Sequence, residues 1–411
     1  MWIVLESYVY AHRTTSGAIL YNTLNYESYC TENTLELYLI EQLLENDYSV
    51  HLNDEEINWS NFQNLNNWLR NSYSGDCIDD KVIKYKPIVI KPQLYIKHDL
   101  LDLRNDDLLW DKNLNQSLNE LMIYVNGSCN NNCRQCNFLH KQFFFCKKDE
   151  AEELGISFIN DLLKQLKGTS LNTVYITGGN VLEYNYLSEL LELLPKYDYH
   201  FVVCLNIHHV SDISKLELFY INHIRINLWV PLDSLNDMTV QKIRQIRSNY
   251  SNLISIFYII ENYSEYSLLE NSGIYDDKDS MIPFYNGNNK SFFESDVYLS
   301  KDEILSTQCT MDNILSKGVL NLNYFGKLIV DCDKKVYTSM NLECLGEITS
   351  PESFWTVLIN AVNPTSAWRL LRKNIKGCKN CLFNFLCPPV SDYELVMNTN
   401  QLCFNEKKRL R

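Results

Sequence analysis

Three cysteines, Cys129, Cys133 and Cys136, fall within eight residues directly after the apolar run LMIYV, in the stretch NGSCNNNCRQCNF spanning residues 126 to 138. A loop that short has little surface of its own to bury, and three thiols so closely spaced suit wrapping an inorganic cluster, because thiolates are the usual protein ligands of iron-sulfur centres. A four-iron cluster held this way keeps one iron open for a further ligand. The same spacing also allows a structural zinc with a distant fourth ligand, or three thiols that share a loop by chance.

The pattern around the loop alternates strand and helix. LMIYV reads as a buried strand, Leu154, Phe158, Leu162 and Leu166 form a helical stripe, and TVYIT is a second short strand. HFVVCLN, HIRINLWV and SIFYII continue as strands, separated by helical stretches such as Val240 to Arg247. Repeated βα units imply an α/β fold with a parallel sheet or partial (β/α) barrel. Chemistry in such sheets sits beyond the carboxyl ends of the strands, where the cysteine loop falls. Asp233 in LWVPLDS ends one strand there. Of the neighbours His208 and His209, at most one reaches the mouth if both lie on a strand, since adjacent strand residues point opposite ways; they read best as surface or supporting histidines.

Toward the carboxyl terminus, KLIVDCDKKVY reads as strand, turn and strand, after which regular periodicity fades. There Cys378, Cys381, Cys387 and Cys403 are spaced CxxC, then five residues, then fifteen. Four thiolates complete either a closed four-iron cluster or a tetrahedral zinc site, and a metal would stabilise a segment with too little apolar area to hold itself together. Cys309, Cys332 and Cys344 read as ordinary buried thiols, as does Cys146 in KQFFFCKK, although Cys146 is also the nearest candidate to cap an exposed iron. The acidic turn with Asp276, Asp277 and Asp279 reads as a solvated loop.

The first 80 or so residues form a unit of another kind. WIVLESYVYAHR and GAILYNTLNYESYC flank a turn at Thr14 to Gly17 and predict a hairpin with a further strand. Asn33, with Glu36 three residues on, predicts a helix cap ahead of Leu35, Leu39 and Leu43, and a second helix places Phe62, Leu65 and Leu69 on one face. KPIVIKPQLYI, residues 86 to 96, is expected to be an extended connection.

In 411 residues, 45% are hydrophobic and 21% charged, as in globular chains that need two or three domains. A net charge of -14 argues against nucleic acid as a partner. No apolar stretch suggests a membrane span, and the amino terminus lacks secretory features, so a cytoplasmic location is expected. Fourteen cysteines in that setting read as thiols and metal ligands rather than disulfides.

With these motifs in place, the chain resembles the radical SAM enzymes that carry a C-terminal SPASM domain, in particular the maturases of ribosomally synthesised peptides. CxxxCxxC after the first strand is similar to that family's cluster motif, TVYITGGN to the strand that ends in Gly-Gly-Glu, and the CxxCxxxxxC tail to the SPASM signature. The resemblance spans roughly residues 118 to 411. It implies a winged-helix-like leader-peptide recognition module at 1-85, a linker at 86-117, a partial TIM-like barrel of the radical SAM type at 118-300 and a reduced SPASM-like iron-sulfur domain at 301-411. It also implies a 4Fe-4S cluster on Cys129, Cys133 and Cys136, a second on Cys378, Cys381, Cys387 and Cys403, and cofactor contacts at Gly178, Gly179 and Asn180.

The sequence departs from the family at three places. Gln135 stands for an aromatic residue, and Asn180 stands where a glutamate meets the amine of S-adenosylmethionine, a charge an amide does not supply. Ser391, and Thr338 with Ser339, occupy positions where ligands of a further auxiliary cluster are expected. These departures, with the local text LYNTLN, KQFFFC and GGN, resemble the pseudo-radical-SAM proteins found beside peptide maturases of Bacteroidota. The implied role is to bind a precursor peptide leader, a partner maturase or both, with no catalytic residue and without S-adenosylmethionine. The alternatives are an active radical SAM/SPASM maturase that cleaves S-adenosylmethionine, and a zinc-stabilised peptide-binding protein.

Overall fold

The computed structural model describes residues 1–52, 62–92, 116–131, 133, 136–150, 152–399 and 402–403. Its amino-terminal part begins with strands β1 (Trp2–Leu5), β2 (Val9–Thr14), β3 (Gly17–Asn22) and β4 (Ser28–Thr31). The helix Thr34–Glu45, strand β5 (Ser49–His51), the helix Gln63–Asn71 and strand β6 (Gly75–Ile78) follow. Rather than strands followed by helices, the order is interleaved: β5 and β6 flank β1, while β2, β3 and β4 form a separate antiparallel sheet.

Strand β3 is central and buried on both faces. Ala18 and Leu20 pack with Leu39, Ile40 and Leu43 of the first helix, whereas Ile19 and Tyr21 point the other way, toward Ile304, Ile314 and Leu386. The period of two thus ties the amino-terminal unit to the carboxyl-terminal segment through alternate residues of one strand. The Tyr21 hydroxyl donates to the Thr307 carbonyl at 2.9 Å. The Asn33 side chain accepts from the Leu35 and Glu36 amides, as its spacing predicts. Leu35, in the first turn of the helix, is however exposed, and the buried stripe runs through Leu39, Ile40 and Leu43. Glu36 is buried instead and accepts from the Tyr29 hydroxyl.

The second part is one nine-stranded sheet. Strands β7 (Glu120–Tyr124), β8 (Thr173–Thr177), β9 (His200–Asn206), β10 (Arg225–Pro231), β11 (Ile254–Ile260) and β12 (Ser280–Pro283) are neighbours in sequence order and all parallel. On the other side of β7 lies β13 (Lys327–Val330), also parallel, followed by antiparallel β14 (Lys335–Tyr337) and β15 (Gly346–Glu347). The sheet is open, with β12 and β15 at its edges.

Alternate residues again divide the faces. Ile176, Val203, Leu228 and Val230 face the helices Ile156–Gln165 and Asp237–Tyr250, and each such buried side chain contributes about 1.5–3 kcal/mol. Cys204, Trp229 and Ile259 face the opposite side, which the run Phe143 to Cys146 covers. The helix stripe is Ile159, Leu162, Leu163 and Leu166; Leu154 lies before the helix, its amide donating to the Val125 carbonyl at 2.9 Å. Asp279 is also not solvated as expected. It is largely buried against Arg247, which anchors the turn to the helix Asp237–Tyr250. Among the described residues no helix is long and apolar enough to cross a membrane.

Candidate functional site

Because β7 to β10 run parallel, the segments that leave their carboxyl ends share one rim. Past β7 the backbone keeps strand-like pairing for a few residues before the cysteine loop departs. The Gly179 amide donates to the Asn126 carbonyl and the Asn180 amide to the Ser128 carbonyl, both at 2.7 Å, while the Asp149 amide donates to the Gly127 carbonyl at 2.9 Å. The Asn126 side chain locks the crossing, with Nδ2 donating to the Asn180 carbonyl at 2.9 Å and Oδ1 accepting from the Gly179 amide. Gly178 and Gly179 are required by this close approach. A Cβ on Gly179 would lie 2.2 Å from the Ser128 carbonyl oxygen and one on Gly178 2.1 Å from Asn126 Oδ1. Gly179→Ala is therefore expected to push the cysteine loop off the rim. If the loop holds iron, the iron retained per chain after anaerobic gel filtration should fall well below that of the unaltered protein, and an unchanged ratio would show that the loop tolerates the shift.

The three cysteines are half-buried at this rim. Burial raises the Cys133 thiol to about 11, and Cys136 and Cys129 add to that rise, so the three side chains lie within electrostatic reach of one another. Cys129 is likewise raised, by burial first, then by Cys136 and Glu183 against the help of the Asn131 backbone. The Lys148 amide donates to Cys136 Sγ at 3.4 Å. Behind them Cys146 is buried. Burial drives its thiol well up, and Cys136 and Cys133 push it further. Asn206 Nδ2 stands 3.9 Å from both Cys133 Sγ and Cys146 Sγ. Cys146 is thus a buried thiol, as its three phenylalanine neighbours suggest, and at the same time a neighbour of the loop thiols.

His208 and His209 lie on a 3-10 turn, Ile207–His209, capped by Asn206, so the strand rule does not govern them. His208 is exposed. His209 is 4% exposed, with Nε2 3.6 Å from Cys129 Sγ and Nδ1 buried without a hydrogen-bond partner. Burial, then His208, lowers its imidazole to about 4, which keeps it neutral. Asp233, after β10, acts on Cys133 and His208 from the next strand end.

Asn180 does not face outward with a free amide oxygen. It is 5% exposed and its Oδ1 caps the turn Val181–Glu183 by accepting from the Leu182 amide at 3.1 Å. The nearest carboxylate on that turn is Glu183, which is exposed and accepts from Asn130 Nδ2 at 3.2 Å. Sequence reasoning passed over Glu183; its position three residues after Asn180, on a short turn, was the available signal.

At the carboxyl terminus Arg372 lies within electrostatic reach of Cys378, Cys387 and Cys403, and Cys381 within reach of Cys378 and Cys403. Cys403 is drawn in by a parallel bridge to Leu299. Its thiol is raised by burial, then by Cys378 and Cys381, and that of Cys387 to about 12 by burial, with Arg372 opposing. The Arg372 guanidinium stands 3.8 Å from Cys378 Sγ and pairs with Glu394 at 2.7 Å. Thr338, Ser339 and Ser391, distant in sequence, line one cavity together. Of the remaining thiols, Cys309 is buried, Cys332 is half-buried with Sγ 3.4 Å from the Tyr124 carbonyl, and Cys344 is exposed, contrary to the expectation of three buried thiols. Cys344 lies in the loop between β14 and β15. Among the described residues no three His, Cys, Asp or Glu side chains are grouped to hold a single metal ion.

No family model and no curated protein matches the chain. Among solved structures, it is similar to SuiB of Streptococcus suis bound to S-adenosylmethionine, at 14% identity over 98% of this chain and 99% of that one, with a TM-score of 0.47. The same protein bound to its precursor peptide SuiA gives 13% identity, 98% coverage of both chains and a TM-score of 0.45. Methylornithine synthase gives 13% identity over 72% of this chain and 87% of that one, with a TM-score of 0.30.

Proposed function

We propose that this chain is an iron-sulfur protein of radical SAM type that assists the maturation of a ribosomally synthesised peptide by binding precursor, partner maturase or both. The observation that supports the reading is that Cys129, Cys133 and Cys136 lie within electrostatic reach of one another at the carboxyl rim of a parallel sheet, on a loop clamped by Gly178 and Gly179. The donor set fits a four-iron cluster. Each thiolate would bind a different iron there, so the sulfurs would need a common loop but not the tight grouping of ligands on one ion. The chemistry such a cluster supplies is one-electron transfer. Around it the chain's own residues would set the ligand sphere: Asn206 and the Lys148 amide direct polar hydrogens at sulfur, and buried His209 and Cys146 limit solvent.

Amino-terminal strands β2 and β4 flank β3 and each keeps one edge outside that sheet's pairing, which suits addition of a leader strand. The residues present do not fit the ammonium group of S-adenosylmethionine at the position the resemblance assigns, since Asn180 carries no charge and its amide oxygen is committed to Leu182. The loss of one charge-assisted partner weakens binding by about 1.5–3 kcal/mol, or tenfold to a hundredfold. Glu183 on the same turn is the one observation that favours an active enzyme instead.

Titration of the reconstituted protein with S-adenosylmethionine, followed by the electron paramagnetic resonance of the reduced cluster, separates the two. The unaltered protein is expected to leave the signal unperturbed and release no 5'-deoxyadenosine, and Asn180→Glu to gain binding. Tight binding with cleavage in the unaltered protein would establish the active-maturase reading.

A further inference from the structure

A cavity of about 320 Å³ lies between the Phe143 and Phe144 segment and the carboxyl-terminal helix Asp392–Val396. Its polar contents are nearly all committed. Gln142 exchanges hydrogen bonds with Tyr285, Asn323 donates to the Pro389 and Val390 carbonyls, and Thr338 Oγ1 accepts from the Ala367 amide. Asp392 is the exception. Ser339 Oγ and Asn341 Nδ2 donate to it at 2.7 and 2.8 Å, both to Oδ1, and Oδ2 accepts no well-aligned hydrogen bond among the described residues. The Tyr324 hydroxyl is buried beside this carboxylate without a hydrogen bond of good geometry. Phe143, Phe144 and Tyr393 line the same space.

We infer that this cavity binds an organic cation, a primary ammonium or guanidinium group, seated on the Asp392 carboxylate between aromatic walls. A carboxylate only accepts hydrogen bonds, so its complement is a donor-rich group, and aromatic faces favour a cation over a neutral amide. Lys327 borders the cavity and its charge reaches Asp392, but its ammonium pairs with Glu120 at 3.3 Å and no ion pair joins it to Asp392 among the described residues; Lys141 is exposed to solvent. Burial raises the Asp392 carboxyl above the ordinary range although Ser339, Asn341, Tyr324 and Lys327 all oppose the rise. Its volume admits a side chain or a small amine. The inference goes beyond the iron-sulfur reading and does not depend on it.

The group can come from a free amine or from a peptide side chain, and calorimetry on the full chain distinguishes them. In one arm n-butylammonium and n-butylguanidinium chloride are compared with n-butanol. In the other, an N-acetylated, C-amidated alanine pentapeptide with central arginine is compared with its glutamine counterpart. Cations are expected to bind and the neutral analogues not; tighter binding of the arginine peptide than of butylguanidinium assigns a peptide, and weaker binding assigns a free amine. Asp392→Asn keeps an acceptor for Ser339 and should cost roughly tenfold to a hundredfold in affinity. Phe144→Leu, which removes one aromatic face at similar volume, should cost roughly twofold to fivefold and decides the matter if Asp392→Asn does not fold. Equal binding of butanol and the cations, no binding in either arm, or unchanged affinity in the variants would overturn the assignment. Iron content measured on the same samples reads the cluster proposal separately.

Discussion

Replacing Cys129, Cys133 and Cys136 together by alanine removes about half of the iron from anaerobically purified protein and leaves the carboxyl-terminal metal in place. The expectation follows from two constellations, each closed within its own segment: the first on the loop after β7, the second around Arg372. Metal analysis and the visible absorption of the two preparations check it. Should the carboxyl-terminal thiols hold zinc, the same substitution removes all the iron and leaves one zinc per chain, which locates the iron at the loop just as well. Iron that survives the triple replacement undiminished, or unaltered protein with zinc and no iron, would refute the loop as an iron site.

The parts of this arrangement that were legible in the sequence are those governed by local periodicity. TVYIT, HFVVCLN and SIFYII form strands because β-branched and aromatic residues in short buried runs leave little alternative, and their order makes the sheet parallel. The rim position of the cysteine loop follows from that order alone. What depends on tertiary approach was not legible. His209 looks like one of two strand histidines until Asn206 caps a turn and swings it onto Cys129. Gly178 and Gly179 suggest cofactor contact, yet the atoms that exclude a side chain there belong to Asn126, Gly127 and Ser128. Asn180 differs from a glutamate by the charge it lacks, and the structure adds that its oxygen is already occupied. Nor does spacing disclose that Ser339 and Asp392, far apart in the chain, share a hydrogen bond.

Glu394→Gln should destabilise the carboxyl-terminal segment by about 3–5 kcal/mol, because it leaves the Arg372 charge without its partner at a site where the two side chains are only 9% and 1% exposed. Burial alone would lower the Arg372 guanidinium, but Cys387, Glu394 and Cys378 together outweigh it and raise it, so the surroundings hold the charge rather than repel it. Loss therefore depends on what the cysteines carry. Four thiolates around either a divalent zinc or a four-iron cluster bear net negative charge and would take over part of the compensation, whereas the stripped protein keeps neutral thiols there. Denaturant unfolding of Glu394→Gln is expected to show the full penalty after chelation and a smaller one in the loaded protein. Replacing both partners, Arg372→Met with Glu394→Leu, should recover only part of the loss, since Arg372 also donates to the Pro388 and Pro389 carbonyls and Glu394 accepts from the Ser391 amide. A penalty that is equal with and without metal would mean that Arg372 does not sense the ligand sphere of Cys378, Cys381, Cys387 and Cys403, and that the four thiols are not a metal site.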